Sequence, residues 1–298
     1  MAHTDPIDLK QRHRELSGNP REGEAIKLRQ SIRINTLKVK KKGIPERMNE
    51  QDIVARLKKR GVKLEKIPFL KHGYWTEAPF SLAGTEEHLL GLFYLQEAAA
   101  QMPVEWMALK TDESALVIDA CASPGGKTTQ IAQEMENEGI IVALDLGRKV
   151  DALRNNLERM GASNTIVYNQ DARFFELPKN YAADALLLDV PCSGNYAIEK
   201  EWYKKRTIED IRNCSRLQKE IVRGAIRNVK KGSAVVYSTC SLEPEEDEEV
   251  LAWMEKELSV TKQRMEKKWP GKDKMQGMFV AGFAQDESSA SIKKTDSI

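Results

Sequence analysis

Ten residues constrain this chain more than any others: Asp-Ala-Cys-Ala-Ser-Pro-Gly-Gly-Lys-Thr at 119–128. An apolar run at 115–119 feeds into them, and an amphipathic stretch at 129–138 follows. The pattern predicts a strand, a tight glycine turn and a helix. Gly125 and Gly126 allow backbone angles closed to other residues and close approach of a ligand. The helix behind them begins with unpaired N–H groups and a partial positive charge. At the carboxyl end of a first α/β strand, such a turn suits a nucleotide-like ligand. A P-loop would need glycine where Cys121 stands, and the dinucleotide G-x-G-x-x-G is absent. A second apolar run, 140–145, ends in Asp145, where an acid commonly takes ribose hydroxyls.

From residue 114 the rhythm is regular. Strands expected at 115–119, 140–145, 165–169, 185–188 and 234–238 alternate with helices near 129–138, 149–160, 208–229 and 245–257. Short apolar strands suit a sheet covered on both faces. Thr207 and Asp210 have the spacing of a capping box. Residues 279–283 read as a late edge strand, and the Ser-rich tail from Gln285 reads as disordered. Upstream, residues 1–28 read as a polar extension with a break at Asn19-Pro20. A strand at 31–39, a helix at 50–60 stopped by Gly61, and a strand at 62–67 make a small β-α-β unit. A helix at 96–109 carries Pro103 near its middle, so a kink is expected. The expected order is therefore an extension (1–28), a basic α+β subdomain (29–75), a connecting helical segment (76–113), an α/β domain (114–283) and a tail (284–298).

Charge is informative because it is uneven. The 298-residue chain carries a net +2, yet residues 29–75 hold 14 Lys/Arg against 4 Asp/Glu. A basic segment on a mildly acidic body points to a polyanion partner. No apolar run approaches the roughly 20 residues of a membrane helix, and the charged N-terminus does not read as a signal peptide. The cysteines (Cys121, Cys192, Cys214, Cys240) form no C-x-x-C pair, so no metal is expected. Free thiols in a cytoplasmic protein are the expectation.

The carboxyl ends of the expected strands carry Asp119, Asp145, Asp171, Asp189 and Ser238-Thr-Cys240. Any one acid there is as readily a cap or a solvated residue. Four acids and a thiol at corresponding places point to a site. Cys192 follows the strand ending in Asp189, so two thiols face the same end. A thiol becomes a nucleophile when its thiolate is stabilised. The acidic run at 243–249 opposes that unless it faces solvent.

These motifs resemble the RNA cytosine-C5 methyltransferases of the NOL1/NOP2/Sun family. The 119–128 turn resembles its cofactor loop, Asp-Val-Pro-Cys-Ser-Gly at 189–194 its first cysteine motif, and Ser-Thr-Cys-Ser at 238–241 its second. Residues 31–36, 95–98, 269–270 and 277–281 also match family segments. The resemblance implies a Rossmann-like S-adenosylmethionine-dependent methyltransferase sheet with an N-terminal RNA-binding subdomain. It implies Cys240 as the thiol that attacks cytosine carbon 6, Cys192 in product release, and Asp189 on the cytosine ring. It implies cofactor contacts from Cys121, Ala122, Ser123, Pro124, Gly125, Gly126 and Lys127, with Asp145 on the ribose, Asp171 by the adenine and Asp189 near the methyl group. The target base must leave its stack to enter such a pocket. The basic arm and short chain look most like the archaeal tRNA enzymes, so tRNA is the expected RNA and rRNA the alternative. A DNA cytosine methyltransferase, attacking with its Pro-Cys thiol, and a non-catalytic RNA-binding protein are the rival readings. No obligate protein partner is implied. Ser123 and Val190 replace alanines of the family pattern. Val150 stands where an arginine is usual, leaving Arg148 or Lys149 as substitutes.

Overall fold

The computed structural model describes residues 8–38, 49–109 and 111–285. The chain begins with α1 (Leu9–Ser17), capped by the Asp8 carboxylate and stopped at Gly18, whose φ of 65° suits glycine. Next come β1 (Gln30–Ile34), α2 (Glu50–Lys59), β2 (Lys63–Lys66), β3 (Gly73–Glu77), the single-turn α3 (Glu86–Leu89), β4 (Phe93–Leu95) and α4 (Ala98–Glu105). Four of these strands form an antiparallel sheet in the order β2-β3-β1-β4. Helix α2 covers it with Ile53, Val54 and Leu57, and a capping box between Asn49 and Asp52 fixes its start.

The larger sheet has seven strands. In chain order its elements are β5 (Leu116–Asp119), α5 (Gly126–Glu134), β6 (Ile140–Asp145), α6 (Lys149–Met160), β7 (Thr165–Asn169), β8 (Ala183–Asp189), the short α7 (Trp202–Lys205), α8 (Ile208–Ala225), β9 (Val229–Thr239), α9 (Glu248–Glu257), β10 (Val260–Lys268), α10 (Pro270–Asp273) and β11 (Met278–Gln285). The spatial order is β10-β11-β9-β8-β5-β6-β7. Strands β5 to β9 run parallel, and β11 and β10 close one side antiparallel. Successive strands leave β5 on opposite sides, so the switch point lies between β5 and β8, where an open α/β sheet keeps its ligand. Alternation sorts the core: Val117, Leu187 and Val236 pack under α4 and α5, while Ile118, Leu186, Leu188 and Tyr237 pack under α8 and α9.

The regular α/β rhythm of the sequence is present, with α6 and the Thr207–Asp210 capping box of α8 as expected. Other expectations differ. The strand expected at 31–39 ends at Ile34 and gives way to a 3-10 turn at Thr36–Lys38. Residues 76–113 are not simply a helical connector: β3 crosses the expected boundary at Trp75, and β4 pairs with β1. Three-residue β4 is too short to show a period. Residues 8–28 are no loose extension, because α1 buries Leu9 and His13 against the large domain. Strand β11 lies inside the sheet, and β10 is the edge. β10 escaped notice because its exposed side chains are mostly Lys, Arg, Glu, Gln and Thr, residues that blunt an edge against further pairing. The basic turn at 40–43 and the expected disordered tail beyond Gln285 lie outside the described residues. The basic segment is also less free than its charge implied. Arg29, Arg56, Arg60, Lys63, Lys66 and Lys71 all engage carboxylates.

Candidate active site

Two adjacent parallel strands bring the thiols together. Asp189 of β8 is in register with Ser238 of β9. Cys192 and Cys240 lie just beyond those residues, so equal advance along parallel strands delivers them to one place. Their sulfurs are in contact at 2.6 Å, and both thiols are partly accessible. Asp189 is held from both sides: its Oδ1 accepts from Ser238 Oγ at 2.8 Å and its Oδ2 from Lys127 Nζ at 2.6 Å.

Beside Asp189 opens a cavity of about 210 Å³. Cys121, Ala122, Ser123, Pro124, Gly126 and Lys127 form one wall, and Tyr94, Gln96, Glu97 and Gln276 form the other. Gly125 takes a φ of 104°, closed to most side chains, and α5 starts there without a side-chain cap. The helix N-terminus therefore presents free donors to a carboxylate, while the Asp189 carboxylate offers negative charge to an ammonium or sulfonium group. This donor set fits the amino-acid end of S-adenosylmethionine. The cavity is smaller than the roughly 300–1,000 Å³ that encloses a drug-sized ligand. A nucleoside end would extend over the open surface at Asp145 and Leu146, which is half-exposed.

The expected acids are placed unequally. Asp145 ends β6 and accepts from Ser123 N–H at 2.8 Å and Leu146 N–H at 2.7 Å, which aligns it with the turn. Asp171 is gripped by Arg173 through Nε and Nη2, and this pairing holds its carboxyl below the usual range. Neither lines the cavity beside Asp189. Asp119 is fully buried and accepts from Thr128 Oγ1 at 2.7 Å, so it braces the turn from below. Burial pushes its carboxyl up to about 7, with the nearby Asp189 adding to the shift. Val150 is buried on the inner face of α6, whereas Arg148 and Lys149 are exposed at its start. Ser123 Oγ donates to the Lys149 carbonyl at 2.9 Å, so one departure from the family pattern ties the turn to α6.

The thiols of Cys192 and Cys121 are both raised. Contact with Cys240 and burial push the Cys192 thiol well up, so it keeps its proton. Burial and the surrounding Asp119, Asp189 and Asp145 do the same to Cys121, which suits a wall rather than a nucleophile. The acidic run does not face solvent as a whole. Glu243, Glu246 and Asp247 are fully buried. Glu243 meets His13 and Arg12, Asp247 meets Lys267, and Glu246 meets hydroxyl and amide donors. Lys267 comes from β10, the strand that sequence reading missed.

Sequence reasoning also missed the second cavity wall. Glu97 accepts from Gln276 N–H at 3.0 Å and from Ala99 N–H at 2.6 Å, and burial raises its carboxyl. Its signal was the Leu-Gln-Glu-Ala match at 95–98, which implied a family segment without a role. Arg33, fully buried on β1, donates to the Gly126 carbonyl at 2.6 Å and to Thr129 Oγ1 at 2.8 Å. The small sheet thus braces the helix that starts at the turn.

A parallel sheet with a glycine turn at its switch point, an uncapped helix behind it and an acid ending the next strand defines a class. It is that of the Rossmann-like S-adenosylmethionine-dependent methyltransferases. Within it, residues 106–284 match the family described as 16S rRNA methyltransferase RsmB/F, and residues 24–98 match the N-terminal domain of 16S rRNA methyltransferase RsmF. The chain belongs to this family, the NOL1/NOP2/Sun group that its motifs resemble. It is 39% identical over 231 residues to the ribosomal RNA small subunit methyltransferase F of Vibrio parahaemolyticus, covering 75% of this chain and 46% of that protein. The corresponding protein of Citrobacter koseri is 36% identical over 236 residues. The chain spans about half the length of the curated relatives it matches. A methyltransferase homologue from Pyrococcus horikoshii superposes with a TM-score of 0.76 at 32% identity, covering 87% of each chain. NSun6 from Pyrococcus horikoshii shares the fold, with a TM-score of 0.81 at 22% identity over 94% of this chain and 98% of that one. No helix among the described residues is long and apolar enough to cross a membrane.

Proposed function

We propose that this chain methylates carbon 5 of cytosine in RNA through a covalent cysteine–cytosine adduct. The observation that carries the reading is the contact of Cys192 and Cys240 just beyond the paired ends of β8 and β9, where Asp189 lines the cavity under the glycine turn. S-adenosylmethionine, when bound, supplies the electrophilic methyl group. Carbon 5 of cytosine is a poor nucleophile. Cys240 gives up its thiol proton to solvent and adds as a thiolate at carbon 6, which makes carbon 5 electron-rich so that it takes the methyl group; this is covalent catalysis. Asp189, fixed by Lys127 and Ser238, holds the ring. Cys192 sits beside the adduct and takes part in its release, in which loss of the carbon-5 proton returns the electron pair that expels the Cys240 thiolate from carbon 6. The turn at 121–127 holds the methionine end, Asp145 the ribose, and Asp171 the adenine once Arg173 shares it.

The substrate reading moves from tRNA to small-subunit rRNA. The named relatives are ribosomal RNA methyltransferases. A short chain with a basic arm, which favoured tRNA, does not separate the two.

The test uses unmodified small-subunit rRNA and tRNA with wild type, Cys240→Ala and Cys192→Ala. Digested RNA is read for 5-methylcytosine by mass spectrometry, and each mixture is run on a denaturing gel. Product on rRNA with wild type, none with Cys240→Ala and a shifted band with Cys192→Ala are expected. Product on tRNA alone would overturn the substrate. Full activity in Cys240→Ala would overturn the mechanism. Loss of methylation in Cys192→Ala with no shifted band would instead favour the Pro-Cys thiol as nucleophile.

A further inference from the structure

Glu246 is the one acid of the 243–249 run that touches both cysteine loops. Its Oε2 accepts from the Ser193 N–H at 3.0 Å and from Gln218 Nε2 at 2.8 Å. Its Oε1 accepts from the Ser241 hydroxyl at 2.8 Å and from the Ser193 hydroxyl. Ser193 directly follows Cys192, and Ser241 directly follows Cys240. The Glu246 carbonyl accepts from the Tyr237 hydroxyl at 2.6 Å, so the core of the sheet holds the residue itself. Gln218 also donates to the Pro191 carbonyl at 2.9 Å, which stiffens the Cys192 side.

The neighbours differ in kind. All three are fully buried, but Glu243 and Asp247 pair with cations, whereas Glu246, among the described residues, has no ion pair. A buried carboxylate without a cation is a poor device for stability, because desolvation opposes it. It is a good device for geometry, because four donors from three segments converge on two oxygens. We propose that Glu246 is a positioning residue that clasps the two cysteine loops together and sets the distance between the Cys192 and Cys240 sulfurs. The inference rests on the proposed cysteine chemistry for its consequence in catalysis. It does not rest on it for the clasp itself.

The clasp is separable by side. Ser241→Ala loosens the Cys240 loop and slows adduct formation. Ser193→Ala loosens the Cys192 loop and prolongs the adduct. Glu246→Ala loosens both, and displacement by about 1 Å at a reacting group costs about 100-fold in rate. The experiment follows adduct formation and decay in single turnover on unmodified small-subunit rRNA, with cofactor affinity measured alongside. It is paired with an RNA-free readout. Phenylarsine oxide bridges two thiols only when they are adjacent, and Cys192→Ala fixes the background. Capture by wild type that weakens more than about tenfold in Glu246→Ala, with cofactor affinity unchanged, supports the clasp. Equal capture by both overturns it. So does an equal slowing of the same step by the two serine variants. Should Glu246→Ala fail to fold, the serine pair decides. Should wild type capture the arsenical yet form no adduct on any RNA, the cysteine chemistry falls, and the capture ratio still judges the clasp.

Discussion

Lys127 Nζ lies 2.6 Å from Asp189 Oδ2, joining the glycine turn to the end of β8 across the switch point of the sheet. The pair ties the glycine turn to the acid at the end of β8, and both residues line the cofactor cavity. Lys127→Met removes the tie and leaves Asp189 held by Ser238 alone. Because the pair is partly solvated, at 13% and 26% side-chain exposure, its stability contribution is small. The expected outcome is an unfolding free energy within about 1 kcal/mol of wild type and a methyl-transfer rate lower by about 100-fold. Denaturant unfolding and single-turnover kinetics on the same preparations check it. A rate within a factor of two of wild type would sink the assignment.

Asp119 makes stability depend on pH. Its folded carboxyl titrates near 7 because it is buried beneath the turn, against about 4 in an unfolded chain. Between those values the folded chain holds a proton that the unfolded chain has released. Stability from this group is therefore full below about pH 4 and falls as pH rises towards 7. Lys127 and Thr128 oppose the shift, and Asp189 reinforces it. Asp119→Asn keeps the shape and cannot titrate, so its stability curve is flatter over that window. Urea unfolding of both proteins at pH 5 and pH 7.5 measures the slopes. Equal slopes would show that Asp119 does not titrate in this range.

What sequence made legible follows from what repeats. The β5–β9 strands, α6 and the strand-end residues were readable because apolar period, glycine turns and acids recur at corresponding places. The meeting of Cys192 and Cys240 followed from parallel strands, without any contact being visible. What was hidden is non-periodic or distant. β4 has three residues, and its identity comes from pairing with β1. β10 is polar because one of its edges is exposed, so its pairing with β11 outweighs its own hydrophobicity. Whether the acidic run faces solvent was not legible, because its buried members find partners in α1, β10 and the cysteine loops. Those partners lie far away in sequence, 230 residues in the case of His13 and Glu243.

Arg33 fixes the small sheet to the start of α5. Its guanidinium donates to the Gly126 carbonyl, Thr129 Oγ1 and Gln96 Oε1 while fully buried. Two effects compete in Arg33→Met. Removing a buried charge relieves desolvation, whereas it strips a donor from three acceptors, two of them on the buried Gln96 and Thr129. Because Gln96 and Thr129 stay buried between α5 and the small sheet, the second effect wins. A loss of about 2–3 kcal/mol is expected, with weaker cofactor binding because Gly126 lines the cavity. Arg33→Lys reaches fewer acceptors and falls between. Denaturant midpoints and calorimetric titration of S-adenosylmethionine measure both effects, and an unchanged midpoint in Arg33→Met would refute the brace.

His13 tests whether α1 is part of the catalytic domain. Its ring is fully buried, with Nε2 at 2.7 Å from Glu243 Oε1 and Nδ1 at 2.8 Å from the Tyr203 hydroxyl. It stacks on Trp202 at 5.3 Å between centroids, and Trp202 Nε1 donates to the Ser193 carbonyl at 2.7 Å. Glu243 N–H in turn donates to the Ser241 hydroxyl at 3.2 Å. One imidazole therefore supports the loops that follow both cysteines. His13→Ala leaves the buried Glu243 carboxylate with Arg12 at 3.3 Å as its remaining partner and opens a void beside Trp202. Breaking a buried hydrogen-bonded pair in this way costs about 3 kcal/mol, which lowers Tm by roughly 6–12 °C. Calorimetry reads the loss. Limited proteolysis shows its place, because faster cleavage near 193–206 and 240–245 is expected before the rest of the chain opens. A Tm within about 2 °C of wild type would return residues 8–28 to the status of a loose extension.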